Sequence, residues 1–340
     1  MALSARRRLT ALALGLLLPL SLAACSEDSP ASPDVAACDT VEGRLDDVKA
    51  GKPVDVVTPA GQLSVALGDP VAELTSDRTI DRNAKEAPEG GAFVPIVWSF
   101  SDDVFGQINR LFGESRPLEI QVVVDGEKCN VPPPSPGPDE TAQYLAVASS
   151  GDEVELVATY DGVTQTLDGR SGKLDKGDAA GLYDVAEARV KIKDCPIKQW
   201  LDDPSYIVHY TCKYTLPIAT PYVVNTWAKP GHTWVAINIA TNLSLFATGS
   251  LIDESIANYD VLDATDLSTV QGEKALGALQ ERQNAGTLSG ILVFDVKGEL
   301  PTSMNVEREY KLSFSGSAGE VDVPQRRTVK IGGELELRYG

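Results

Sequence analysis

Residues 206–216 read YIVHYTCKYTL, and this stretch decides the fold class. Apolar and aromatic side chains occupy every second position from Tyr206 onwards, and polar side chains such as His209 and Lys213 lie between them. A period of two over this length is typical of a strand with one face on a core. We therefore expect this stretch to form a long β-strand.

Strand-like runs recur along the chain as short apolar or alternating segments separated by Gly, Asp, Asn and Pro. They include residues 63–67, 93–100, 118–124, 144–148, 154–160 and 163–167. The last two are joined by Asp161 and Gly162, a dipeptide typical of a two-residue hairpin turn. Helix signals are sparse: Asp103 can cap a short amphipathic segment that ends at Gly113, and Ser268 can cap a second one that reaches about residue 283. The sequence predicts an all-β protein with short crossover helices.

Two landmarks suggest an internal duplication. Residues 90–96, GGAFVPI, align with residues 231–237, GHTWVAI, because each is a glycine turn that opens an apolar strand. Residues 177–185 then align with residues 286–296 in the same order. A duplicated domain would produce this order, and chance similarity is the alternative.

A proline-rich stretch, VPPPSPGP, lies at residues 131–138. Proline cannot donate the hydrogen bonds of a β-ladder, so we expect an extended loop inserted in the first domain. The alternative is a linker that divides the chain near residue 135.

The first 24 residues have the order of an export signal, with basic residues 6–8, an apolar run at 9–20 and small residues after it. The run is too short to span a bilayer as a helix. Residues 22–25, LAAC, resemble the lipobox of bacterial lipoproteins, a resemblance that points to a Gram-positive, actinobacterial source. It implies a diacylglycerol on Cys25 and a location at the outer face of the cell membrane. A plain secretory signal beside a cysteine is the alternative, and the arginines leave Sec or twin-arginine export open.

The predicted organisation therefore has four parts. These are a signal peptide at 1–24, the lipidated cysteine with a flexible tether at 25–49, and β-sandwich domains at 50–196 and 197–340. Removal of the signal takes away three arginines and no acid, which lowers the formal net charge from −19 to −22. Such a surface repels nucleic acid, so we expect no nucleic-acid partner.

Cysteine usage fits an oxidising compartment. Four cysteines remain once Cys25 is assigned to lipid, and four cysteines allow three disulfide pairings. Cys195 and Cys212 flank a turn-rich segment, so an antiparallel return can bring them together. Cys38 then pairs with Cys129 by elimination. The spacings do not match a tetrahedral metal site or a Cys-x-x-Cys redox motif.

A second resemblance rests on residues 231–239, 290–296 and 335–339. These segments resemble the strands of the immunoglobulin-like domain of unknown function that is found in Gram-positive secreted lipoproteins. The resemblance covers roughly residues 205–340. It implies a β-sandwich without an established activity, and with the duplication it implies two tandem immunoglobulin-like sandwiches.

Residues that carry chemistry are few. The chain has two histidines, His209 and His232, which we expect in solvent, and none of the common hydrolase motifs. Residues 169–174, GRSGKL, resemble a phosphate loop but lack its spacing, so we expect a hairpin tip. We expect no metal and no cofactor.

Tryptophans are the candidate contact residues. Trp98 and Trp234 lie in apolar strands and are expected in the core, whereas Trp200 and Trp227 adjoin turn residues and are expected to contact a partner.

The expected function is non-catalytic binding, scaffolding or sensing in the cell envelope, with an unknown envelope protein or glycan as the partner. The alternative is a secreted hydrolase that acts on envelope polymer with two carboxylates. The solute-binding component of an importer would alternate strands and helices, a pattern that this sequence lacks.

Overall fold

The computed structural model describes residues 35–196, 205–250, 255–284, 286–318 and 322–339, and most of these residues lie in antiparallel strands. Within these ranges, no helix combines the length and the apolar character needed to cross a membrane. Two halves can be distinguished by their sheets, an N-terminal half that ends with a short helix at residue 187 and a C-terminal half that begins with a strand at residue 192.

The N-terminal half contains strands β1 (Thr40–Glu42), β2 (Val54–Thr58), β3 (Gly61–Leu67), β4 (Glu73–Leu74), β5 (Lys85–Glu86), β6 (Ala92–Ser101), β7 (Leu118–Val124), β8 (Glu127–Asn130), β9 (Gly137–Val147), β10 (Val154–Tyr160), β11 (Val163–Asp168) and β12 (Leu174–Asp175). Its helices are 3₁₀ turns at Leu45–Asp47, Gly106–Leu111 and Gly177–Ala179, and helix α1 at Gly181–Glu187.

Two five-stranded sheets form this half, with the strand orders β1-β9-β6-β3-β2 and β12-β11-β10-β7-β8. Alternate side chains of both sheets enter one hydrophobic core, in which Leu63, Val94, Val122 and Leu156 have no exposed surface. The β10–β11 hairpin turns at Asp161 and Gly162, which both have positive φ, as the sequence predicted.

The edges of the two sheets are connected on both sides. On one side, the Tyr183 hydroxyl donates to the Gln165 amide oxygen (2.6 Å) and accepts from the Val57 N–H (3.2 Å), while Gln165 Nε2 donates to the Val57 carbonyl (2.8 Å). These side chains hydrogen-bond to backbone groups of edge strand β2 that could otherwise pair with a strand of another chain. On the other side, the Cys38–Cys129 disulfide joins the segment before β1 to β8.

The C-terminal half contains β13 (Ile192–Asp194), β14 (Tyr206–Thr215), β15 (Ile218–Thr220), β16 (Tyr222–Val223), β17 (Thr226–Trp227), β18 (His232–Ser250), β19 (Ser255–Asp266), β20 (Thr269–Val270), β21 (Glu273–Lys274), β22 (Ala278–Asn284), β23 (Thr287–Lys297), β24 (Ser303–Ala318) and β25 (Arg326–Glu336).

Strand β18 organises this half because it pairs with several neighbours along its length. Residues 232–242 pair with β23, whereas residues 246–250 pair with β19, and β14 and β15 lie along the opposite edge. A register shift between His209 and Tyr210 marks a bulge where β14 meets β18. The connected strands surround a second core that includes Ile237, Phe294 and Tyr310.

The structure confirms the alternation in β14, where Tyr210, Cys212 and Tyr214 are buried and His209 and Lys213 are exposed. All the other predicted strands are also present.

The predicted helix after Ser268 is wrong. That segment forms β20, β21 and β22, and Gln271 and Gly272 turn between the first two with positive φ. Pairing of these strands with β23 and β24 overrides the local helix signal. The first predicted helix is a 3₁₀ turn without a side-chain cap, although its apolar face is buried as expected.

The duplication holds at one landmark only. Gly90 and Gly231 both turn with positive φ ahead of β6 and β18, but residues 177–185 form helical turns whereas residues 287–297 form a strand. Residues 131–136 of the proline-rich stretch are an extended connection between β8 and β9, as expected, whereas Gly137 and Pro138 are the first residues of β9. Residues 131–136 are not an interdomain linker, because β9, which follows them in the chain, pairs with β6, which precedes them.

Two domain boundaries also differ from the sequence prediction. The folded chain begins before residue 50, because β1 pairs with β9 and Cys38 is disulfide-bonded. Strand β13 pairs with β14, so residues 192–195 belong with the C-terminal half.

Candidate functional site

Trp227 lies in a two-stranded hairpin that reaches from the C-terminal half to the N-terminal half. Strands β16 and β17 are joined by Val224 and Asn225, which both have positive φ. The backbone N–H groups of these turn residues donate to the carbonyls of Leu111 (2.8 Å) and Phe112 (3.1 Å). The tip of the hairpin is therefore hydrogen-bonded to the C-terminal end of the 3₁₀ turn at Gly106–Leu111 and to the residue after it.

Asp161, at the tip of the β10–β11 hairpin, is the main acceptor at this contact. Its carbonyl accepts from Trp227 Nε1 at 3.1 Å, and its Oδ2 accepts from the Tyr222 hydroxyl at 3.0 Å. Arg116 Nε lies 3.3 Å from Oδ1 of the same carboxylate. We call the contacts of the hairpin at residues 222–227 with the N-terminal half the junction.

Aromatic packing completes the junction. The Tyr222 side chain is fully buried, and its ring contacts those of Trp227, Tyr160 and Phe112 at centroid distances of 4.8, 5.7 and 6.2 Å. Burial, more than the hydrogen bond to Asp161, raises the pKa of Tyr222 above its usual range. The hydroxyl therefore stays protonated at neutral pH and remains a donor to Asp161.

The prediction that Trp227 stands at the surface for a partner needs correction. Its side chain is half-buried, and both its N–H and its ring are used within the chain. Trp200 and Cys25 lie outside the described residues. Trp98 is 3% exposed, as expected for the core, whereas Trp234 is half-buried and donates to the Thr226 carbonyl.

Both predicted disulfides are present, Cys38–Cys129 and Cys195–Cys212. Cys195 follows β13 directly, and its N–H donates to the carbonyl of Cys212 on β14 at 3.0 Å, as an antiparallel return requires. Glu127 lies near Cys38 and Cys129, and the three could share a metal only if the sulfurs were thiolates. Because the sulfurs are bonded to each other, this group is a disulfide with a neighbouring carboxylate.

The two histidines have different surroundings. His209 is exposed and its Nδ1 lies 2.9 Å from Ser244 Oγ. His232, expected in a turn, is the first residue of β18 and is half-buried, with Nδ1 2.7 Å from Asp295 Oδ1 on β23.

A cleft opens where the two halves meet beside α1, and we call it the junction cleft. It encloses about 380 Å³. Its lining comes from α1 and the residue after it (Asp184, Val185, Glu187, Ala188), from β15 and the residue before it (Pro217, Ile218, Ala219), and from Leu300 and Tyr339. Leu300 is 40% exposed, and the two carboxylates lie on the exposed face of α1. The cleft thus combines an apolar floor with an acidic rim.

Tyr339 is held at one wall of the junction cleft. Its hydroxyl donates to the Pro301 carbonyl at 3.1 Å, which places the ring beside Leu300 in the sequence segment before β24. Burial raises the pKa of Tyr339 to about 12. This wall is therefore neutral, and the charge of the cleft comes from Asp184 and Glu187.

A buried polar cluster lies in the core of the C-terminal half. Arg308 on β24 is 1% exposed and forms an ion pair with Asp266, its cross-strand neighbour on β19. Arg308 Nη1 also donates to Ser268 Oγ at 3.0 Å and Nε to Thr241 Oγ1 at 3.4 Å. Burial lowers the pKa of Arg308, but the ion pair and two hydroxyls satisfy the guanidinium.

The sequence carries a signal for this cluster, which was not among the predicted sites. Alternation in β24 places Met304, Val306, Tyr310 and Leu312 in the core, and Arg308 falls on the same parity. A charged residue at an inward position of an alternating strand indicates a buried partner.

The chain matches no family model, no curated protein and no solved structure in the comparisons made with known proteins. Its function therefore has to be argued from its own geometry.

Proposed function

We propose that this protein is a lipid-anchored, non-catalytic binding or scaffolding protein of the cell envelope, whose partner is an envelope protein with an apolar and basic segment. The two disulfides indicate an extracytoplasmic protein. The export signal and the lipobox-like residues before Cys25 support attachment to the outer face of the membrane.

The proposal includes two tandem immunoglobulin-like sandwiches. In the N-terminal half, support comes from two antiparallel sheets that contribute to one core. In the C-terminal half, support comes from β18, which pairs with β23 through its first part and with β19 through its last part. Such long strands can pass from one layer of a sandwich to the other.

The junction cleft is the observation that carries the binding proposal. Ligand sites occur preferentially where domains meet, and this cleft is lined by residues of both halves. The junction fixes the walls relative to each other through hydrogen bonds and aromatic contacts, so the cleft exists before a partner arrives. A preformed site avoids the entropy cost of ordering on binding.

Charge and apolarity select the partner. Leu300 and Ile218 offer apolar surface, and Asp184 and Glu187 lie at the rim of a chain whose formal net charge is −19. An extended segment with alternating apolar and Lys or Arg side chains would satisfy both features. An acidic glycan would be repelled by the same rim.

Affinity capture with cleft variants tests the proposal. The full-length protein should capture a partner from envelope membranes, and Leu300→Asp and Glu187→Lys should each reduce capture about tenfold or more. Leu262→Asp is the matched control, because Leu262 is 59% exposed on β19, away from the cleft lining. Capture that is unchanged in both cleft variants, or equally reduced in the control, would contradict the proposal.

A second candidate function, a carboxylate-based hydrolase, is favoured by one smaller cleft. Asp102 and Glu114 come from different sides of the 3₁₀ turn at Gly106–Leu111 and both line a cleft of about 250 Å³, together with Tyr160. Two carboxylates across a sugar are the requirement of most glycosidases. Release of glycan from purified peptidoglycan by the wild type, abolished in Asp102→Asn or Glu114→Gln, would favour this function over binding alone.

A further inference from the structure

A different cleft lies at the far edge of the N-terminal half, where the β11–β12 connection approaches the segment before β2. We call it the basic cleft. It encloses about 430 Å³ and is lined by residues 51–54, by Val65 and Leu67 of β3, and by residues 167–172. Pro53 is exposed and Val54 is half-buried, so these two residues supply the accessible apolar surface, whereas Val65, Leu67 and Leu167 are buried in the wall of the cleft. Lys52 and Arg170 are exposed at the mouth.

The cleft exists because side chains from α1 and β11 hydrogen-bond to only part of the exposed edge of β2. Tyr183 and Gln165 hydrogen-bond to the backbone of Asp55 and Val57, which closes the middle of this edge. The residues just before, Pro53 and Val54, have no such cover and line the cleft instead. The opening is therefore a defined gap between two sheet edges.

The backbone of the 168–172 loop is not an anion cradle. Asp168 Oδ1 accepts from the N–H groups of Arg170 (3.0 Å) and Ser171 (2.7 Å), and the Gly172 N–H donates to the Asp168 carbonyl. The hydrogen bond from Ser171 and its neighbours holds the pKa of Asp168 below its usual range. Because these amides are satisfied internally, the loop is the tip of a hairpin, as the sequence predicted.

Charged recognition in this cleft must come from side chains. Across the part of the chain that the structure describes, neither Lys52 nor Arg170 takes part in an ion pair. Two cations at the mouth therefore outnumber the single lining carboxylate, Asp168, in a chain whose formal net charge is −19.

From this geometry we infer a second binding site, which takes an amphiphilic anion. The apolar body of such a ligand lies against Pro53 and Val54, and its carboxylate, sulfonate or phosphate head pairs with Lys52 and Arg170. The volume falls within the usual range for small-molecule pockets, about 300–1,000 Å³. A free organic acid and an anionic lipid of the membrane share this chemistry.

Two fluorescent dyes with similar bodies test the site on the full-length protein. The anionic dye 8-anilinonaphthalene-1-sulfonate should bind the wild type, and Lys52→Ala and Arg170→Ala should each weaken its binding about tenfold, the loss expected for one charge-assisted contact. Neutral N-phenyl-1-naphthylamine should bind all of these proteins equally. Lys173→Ala is the matched control, because Lys173 is exposed on the same hairpin outside the cleft lining.

Val54→Trp provides an independent variant that fills the cleft from its rim, and it should abolish binding of both dyes while the thermal unfolding temperature is kept. Displacement of the anionic dye by decanoate would identify a soluble organic acid, and displacement only by phosphatidylglycerol vesicles would identify a membrane lipid. Three results would overturn the inference: equal effects of Lys173→Ala and Arg170→Ala, an equal loss of both dyes in Lys52→Ala or Arg170→Ala, or displacement by neither competitor.

Discussion

The indole N–H of Trp227 donates to the backbone carbonyl of Asp161 at 3.1 Å and so connects a hairpin of the C-terminal half to the tip of the β10–β11 hairpin. The Trp227 ring also packs edge-on against Tyr222, which is itself bonded to the Asp161 carboxylate. Two cross-strand partners of one hairpin thus donate to the carboxylate and the carbonyl of a single aspartate.

This contact predicts the effect of changing Trp227. Trp227→Ala should lower the free energy of unfolding by about 2–4 kcal/mol, because a half-buried ring is deleted and the Asp161 carbonyl loses its donor. Trp227→Phe keeps the ring and should cost about 1 kcal/mol for the hydrogen bond. Urea unfolding measures both, with Leu276→Ala at an exposed position as the control. Unchanged stability of Trp227→Ala would mean that the junction does not depend on this side chain.

The buried ion pair predicts an unequal effect of single and double substitutions. Asp266→Ala should lower the free energy of unfolding by about 3–5 kcal/mol, because Arg308 is left charged and buried without its partner. Arg308→Met combined with Asp266→Leu should be clearly more stable than that single variant. The exposed pair Lys311–Asp263 on the same two strands is the control, and Lys311→Met should cost less than about 1 kcal/mol. A double variant no better than Asp266→Ala would contradict this account.

The hydrogen bonds of Asp125 lead us to expect that the free energy of unfolding depends on pH. Its carboxylate accepts from the N–H groups of Glu153 and Gly151, both at 2.8 Å, and these bonds hold its pKa below the usual value. The unfolded chain therefore takes up the proton first as the pH falls, so this stabilisation is present above about pH 4 and is lost below it.

Asp125→Asn should accordingly be less stable than the wild type at pH 7, and the difference should shrink as the pH drops below about 4. Thermal unfolding at a series of pH values measures the difference. Asp178→Asn, which removes an exposed carboxylate outside this loop, is the control. A constant difference for Asp125→Asn would show that its hydrogen bonds do not favour the ionised form.

The proposed lipid on Cys25 leads to a prediction about the cell fraction that contains the protein. Cys25→Ala should move the protein from the membrane fraction to the medium, or leave an unprocessed precursor, because two acyl chains hold a protein stably and none remains. Immunoblots of cell fractions measure the distribution, with Ser26→Ala as the control. A Cys25→Ala protein that loses its signal and still sediments with membranes would contradict the lipid anchor.

Much of the fold could be predicted because the strand signal is local. Alternation in residues 206–216 and the Asp161–Gly162 turn depend on neighbouring residues alone, and both appear as predicted. The segment after Ser268 could not be predicted in this way, because β20 pairs with the distant strand β24 and β22 is a strand through its pairing with the next strand, β23. The turn at Gln271 and Gly272 was the local signal that the helix prediction overlooked.

The sites were harder to predict because they depend on which surfaces meet. Turn residues beside Trp227 suggest exposure, yet the N-terminal half covers the ring. The junction cleft and the basic cleft likewise join segments that are far apart in sequence, such as Lys52 with Arg170. Only Arg308 could have been found from strand parity alone.

The Cys38–Cys129 disulfide determines how the fold responds to mechanical force at its N-terminus. Tension that arrives along the chain reaches Cys38 ahead of β1 and passes through the covalent bond directly to β8. The 91-residue separation between the two cysteines is thereby excluded from extension, and it would otherwise lengthen the chain by about 300 Å. With the disulfide intact, force applied at the N-terminus therefore bypasses β1 and does not separate it from β9. Reduction of this bond would transmit the force to β1, and the strands of the first sheet could then separate one after another.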